Sequence, residues 1–136
     1  MVKSNRSRLA FGALGSVWLT VAAAMQASAG ESFFTHIHAE KAMANVTVSP
    51  GRAGPIDITI ELEMADEHPL KAKAVSVTLS STKAGIKAQR LSATNTGDNV
   101  WHVKASLPVR GRWMLRLGVL ISDIEKVDVE APILVK

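Results

Sequence analysis

The chain contains no cysteine, which excludes disulfides, thiolate metal sites and cysteine nucleophiles together. Aromatic residues make up only 4% of it, and no block of basic residues accompanies them. The combination of a cationic patch with stacking rings that nucleic-acid binding uses is therefore missing. The formal net charge of +4 does not reverse this, because three of the sixteen basic residues, Lys3, Arg6 and Arg8, stand at the extreme N-terminus. Beyond them the basic side chains nearly balance the twelve acidic ones. The sequence also lacks a serine–histidine–acid motif in a recognisable context, a phosphate-cradling glycine loop and a dinucleotide fingerprint, so an enzyme is not expected. It has no internal repeat and no low-complexity tract.

One long apolar run is present, and it lies at the start. Leu9–Ala29 is free of charge, follows the basic residues, and ends in Ala27-Ser28-Ala29, the small-x-small pattern of a signal-peptidase site. Residues 1–29 are accordingly expected to be a signal peptide and 30–136 an exported, periplasmic domain. Because the run is long enough to span a bilayer, an uncleaved membrane anchor is the alternative. Residues 30–136 suit one domain of ordinary size.

In that domain the dominant pattern is period two. Ala44, Val46 and Val48 alternate with Asn45, Thr47 and Ser49, as in a strand with one wet face. After the Pro50–Pro55 break, Ile56, Ile58, Ile60 and Leu62 alternate with Asp57, Thr59, Glu61 and Glu63. A slip of one residue there would bury four polar groups, which sets the register firmly. The same alternation predicts strands at Val75–Leu79, Trp101–Leu107, Trp113–Ile121 and Val127–Val135, with a short irregular one in Ile86–Ala93. Pro132 cannot donate to a ladder and marks the last strand as an edge or a bulge. Asp66–Pro69 and Asn95–Asn99 read as turns. With no helical period, about seven strands at spacings of roughly ten residues predict an all-β, immunoglobulin-like antiparallel β-sandwich, with Trp101 and Trp113 between its sheets.

The chemistry-bearing stretch is Phe33-Phe34-Thr35-His36-Ile37-His38-Ala39-Glu40-Lys41-Ala42-Met43. In an extended chain His36 and His38 share a face with Cα atoms about 7 Å apart, close enough to close on one metal ion. The competing reading is a pair of solvated residues on an edge strand. Imidazole and thioether donors together suit copper better than hard cations. A third ligand is expected from Met43 or His102. Met43 has the opposite parity from His38, so a turn near Lys41 must bring it round; otherwise it packs in the core. His102 sits on the wet face of its strand and reaches the pair only if that strand borders the first. His68, in a turn, is expected to be solvated. Asp123 and Glu125 share parity, but acid–base work requires a cleft and separated pKa values, and a solvated lead-in to the last strand is the reading preferred for them.

The strings HIHAEKAM (from His36), SPGRAGP (from Ser49), HPLKAKAVSVTLS (from His68), RGRWMLRL (from Arg110) and ISDIEKVDVE (from Ile121) together resemble the YtkA-like periplasmic domain at the C-terminal end of bacterial CopD-type copper-resistance proteins. The resemblance implies a β-sandwich, a copper ion as ligand, and an inner-membrane copper transport protein as partner. Here a signal-like segment stands where those proteins have a multi-span membrane domain. Two functions follow as expectations. One is an exported copper-binding or copper-homeostasis accessory domain using the His-x-His pair. The other is a metal-free interaction module that docks onto a membrane protein.

Overall fold

A computed structural model describes residues 31–136; the signal-like segment lies outside the described residues. Among the described residues nine strands form two antiparallel sheets: β1 (Phe33–His38), β2 (Met43–Ser49), β3 (Gly54–Glu63), β4 (Ala74–Ser81), β5 (Gln89–Ser92), β6 (Thr94–Gly97), β7 (Val100–Leu107), β8 (Gly111–Leu120) and β9 (Lys126–Val135). One sheet has the order β1-β2-β3-β7-β6 and the other β5-β4-β8-β9. Apart from β1, these are the A-B-E-D and C′-C-F-G arrangements of an immunoglobulin-like sandwich. No helix among the described residues is long and apolar enough to cross a membrane.

The period-two alternation settles which side chains meet between the sheets. Ile56, Ile58, Ile60 and Leu62 of β3 and Trp113, Leu115, Leu117 and Val119 of β8 are all buried, and they join Val46, Val48, Val75, Val77, Leu79 and Trp101 in one core cluster. No polar or charged residue is buried among the described residues. Pro132 falls on the edge strand β9 opposite Met114, where its missing N–H disturbs only one ladder.

The count of nine exceeds the seven that alternation predicts, and two elements account for it. β1 buries only Ile37 and so adds no apolar alternation to the count, but the extended edge segment considered for His36 and His38 pairs along its whole length with β2. β6 is exposed at every position and so has no apolar period to read. It exists because the chain leaves β5 of one sheet at Ala93 and joins the other beside β7. The turn expected over Asn95–Asn99 is correspondingly narrower. Asn95 and Gly97 are in the β6–β7 ladder with a bulge between them, and the reversal is made at Asp98, which adopts φ 29°. Ile121 is the other departure: β8 ends at Leu120, and Ile121 opens a tight loop closed by its N–H to the Glu125 carbonyl at 2.9 Å.

Candidate metal centre

β1 is the edge strand of the five-stranded sheet, and its alternation fixes where the histidines point. Ile37 is buried in the core, so Phe34, His36 and His38 face outward. A slip of one residue would bury both imidazoles and expose Ile37, which the core opposes. The two rings lie with centroids 4.4 Å apart and planes at 79°, edge to face. The pair seen in the sequence is thus a pair in space.

The chain then reverses through a tight turn in which the Ala39 N–H donates to the Ala42 carbonyl at 2.9 Å. This reversal sets His38 directly opposite Met43 and His36 opposite Asn45. Residues opposite each other across an antiparallel pair share a face. Met43 therefore lies on the outer face beside His38 in spite of its opposite parity along the chain. It is only 6% exposed, yet it is not part of the core cluster between the sheets. One strand further, Met43 stands opposite Glu63 and Asn45 opposite Glu61. The outer face at this end thus carries two imidazoles, one thioether, one amide and two carboxylates across three adjacent strands.

Two hydrogen bonds link this group. His36 Nδ1 is bonded to Asn45 Oδ1, and Asn45 Nδ2 donates to Glu63 Oε1 at 3.4 Å. Sequence reasoning overlooked Asn45, Glu61 and Glu63. The available signal was their placement on the wet faces of the two strands after β1, but only the register makes them neighbours of the histidines.

The other candidates separate. His102 is on β7, opposite Thr59, with β2 and β3 between it and β1. Three strand spacings put it about 14 Å from β1, so the expectation that it supplies the third ligand is corrected. Its strand does not border the first. Its Nδ1 lies 3.2 Å from Thr59 Oγ1, and it lines a separate open cleft of about 640 Å³ with Asp57, Thr94 and Lys104. His68 is in its turn, with Nδ1 2.9 Å from Asp66 Oδ2 and both side chains mostly exposed. The His68 backbone N–H donates to Asp66 Oδ1 and holds that carboxyl below its ordinary value of 3.8. Asp123 and Glu125 sit in the β8–β9 loop, paired with Lys73 at 2.8 Å and Lys41 at 3.3 Å. They are exposed ion pairs, and Glu125 with Lys41 borders an open cleft that Met64, Asp66 and Leu70 also line.

Among the described residues no group of three or more His, Asp or Glu side chains is placed to hold a metal ion. Met43 is the neighbour of the pair with a soft donor atom.

Compared with known proteins, residues 28–129 match the family model FixH, a span that contains all of β1 to β8 and the start of β9. No curated protein and no solved structure matches the chain.

Proposed function

Because the chain belongs to the FixH family, we propose that it is an exported accessory domain of copper homeostasis that binds a copper ion through His36 and His38, with Met43 as third donor. The family is associated with the periplasmic or membrane-anchored side and with copper-related oxidase maturation, which agrees with the soft donor set. The observation that carries the reading is the outer face at the β1–β2 turn: imidazoles with centroids 4.4 Å apart and a methionine in register with the second of them. Two nitrogens and a thioether favour copper over oxygen-seeking cations. Glu61 and Glu63 add negative charge within two strand spacings of the pair, which attracts a cation. The role is non-enzymatic: capture and hand-over of the ion to a membrane protein, an inner-membrane copper transport protein of the kind that the YtkA-like and CopD resemblance suggests.

Competition titration against a copper chelator tests the reading. His36→Ala and His38→Ala are each expected to weaken binding by more than about tenfold, since even residues behind a ligand are worth that much. His68→Ala and His102→Ala are expected to bind as the wild type does. Protons compete with the metal for the same ring nitrogens, so binding weakens on acidification. If both β1 variants bind copper as tightly as wild type, the metal-free docking module takes the place of this reading. Ile124, 98% exposed at the tip of the β8–β9 loop, is the feature that favours docking.

A further inference from the structure

We infer that Asn45 and Glu63 are positioning residues that hold His36 in a single tautomer, with the proton on Nδ1 and the lone pair of Nε2 left free for a metal. The argument begins at Glu63. An ionised carboxylate only accepts hydrogen bonds, whereas an asparagine amide has one end that donates and one that accepts. With Asn45 Nδ2 3.4 Å from Glu63 Oε1, the amide is oriented with its donor toward β3. The flipped amide would set two acceptors against each other with no proton between them. Oδ1 of Asn45 is thereby turned toward β1, where it meets His36 Nδ1. A carbonyl oxygen cannot donate, so this bond exists only if Nδ1 carries hydrogen. A neutral imidazole has one N–H, which leaves Nε2 bare.

The sheet register supplies the geometry. His36 and Asn45 are direct cross-strand partners, and Asn45 and Glu63 are diagonal ones, since Asn45 stands opposite Glu61 and Met43 opposite Glu63. Both separations are within reach of side chains of this length. The chain from carboxylate through amide to imidazole thus runs across three strands, and the backbone ladder holds all three members. Hydrogen bonding of the second ring nitrogen is the usual means by which a protein orients a metal-binding histidine and raises its basicity. This proposal rests on the copper reading for its purpose, but the tautomer itself is a property of the metal-free protein.

Long-range proton–nitrogen correlation NMR on the metal-free, nitrogen-15-labelled protein at mildly alkaline pH reads the tautomer directly. The expected result is Nδ1–H for wild-type His36 and a mixture of the two tautomers in Asn45→Ala. Glu63→Gln keeps the size of the side chain but offers both a donor and an acceptor, and is expected to move His36 partway to that mixture. A wild-type His36 protonated on Nε2 overturns the inference without any variant having to fold. So does a His36 that stays Nδ1–H in Asn45→Ala. In copper titrations Asn45→Ala is expected to lose about tenfold or more in affinity, and unchanged affinity overturns the positioning role. If the tautomer is found as expected while the wild type takes up no copper, the copper reading fails and the orientation of His36 by Asn45 stands.

Discussion

Trp113 and Trp101 occupy the same core, yet they are held differently. Trp113 Nε1 donates to the Val109 carbonyl at 3.0 Å, whereas Trp101 Nε1 is buried and meets no acceptor among the described residues. Trp113→Ala is expected to cost about 3–5 kcal/mol, the range for truncating a buried tryptophan. Trp113→Phe also leaves the Val109 carbonyl without its donor, and is expected to cost about 1 kcal/mol more than Trp101→Phe, which breaks no such bond. Thr59→Ala, on the outer face, is expected to change stability by no more than about 0.5 kcal/mol. Denaturant melts of the four variants check the order, and equal midpoints for Trp113→Ala and Thr59→Ala would mean that inner and outer faces are wrongly assigned. Asp66 offers a residue-scale test of pH behaviour. Its carboxylate accepts the His68 backbone N–H, which lowers its folded pKa from 3.8. A lowered acid stabilises the fold above the unfolded value, and that contribution is lost as the pH falls through the folded one. The group is exposed, so the effect is small and local. NMR titration is expected to show the Asp66 carboxyl titrating below 3.8, with the His68 amide shifting in step.

Among the elements, β1 is the one on which the candidate site depends; Ile37 anchors its end in the core, and backbone contacts fix its start. The Gly51 N–H donates to the Glu31 carbonyl at 2.9 Å and the Lys136 N–H donates to the Gly51 carbonyl at 2.9 Å. A Cβ at position 51 would lie 2.8 Å from the Glu31 carbonyl oxygen and 3.1 Å from the Phe33 nitrogen. These are backbone atoms and cannot swing aside. Gly51→Ala is therefore expected to destabilise the fold by about 1–3 kcal/mol, the range for overpacking, and to speed hydrogen exchange at Gly51 and at the start of β1. Exchange as slow as in wild type at both would show that the β1–β2 ladder and the packing of β1 hold its start without the close approach at position 51. The β1–β2 turn has the larger functional consequence, because its length brings Met43 back opposite His38. One residue more or fewer would present a different β2 residue to the pair.

At the scale of the molecule, the two ends of the sandwich carry different groups. At one end Glu31 and Lys136 meet, with Nζ 3.2 Å from Oε2. From there β1 carries the chain roughly 17 Å before it reaches His38. The histidine pair lies toward the opposite end, shared with the β1–β2 turn and the β8–β9 loop, which are joined by the Lys41–Glu125 ion pair at 3.3 Å. The exported protein is expected to begin at Gly30, which intact mass decides. A mass that includes Met1–Ala29, with the protein in the membrane fraction, would establish an anchor instead.

Period-two alternation by itself determined the sandwich, the buried faces of β2, β3, β4, β7, β8 and β9, and the shared face of His36 and His38. The reason is physical: along a strand the side-chain period is two, so burial of one face is written directly into the order of residues. Pro132 marks the last strand as an edge or a bulge, and the sheet order makes β9 an edge. What alternation could not carry is which strands are neighbours, because pairing is set by the packing of distant segments and by loop lengths and leaves no local period. β6, exposed at every position, has no apolar face to read, and no local pattern shows that two strands separate the strand of His102 from β1. Tertiary structure alone decided that Met43, Asn45 and Glu63 stand beside the histidines. Parity along the chain is reset at every hairpin, and only the register of β1 on β2 and of β2 on β3 says which side chains of separate strands meet.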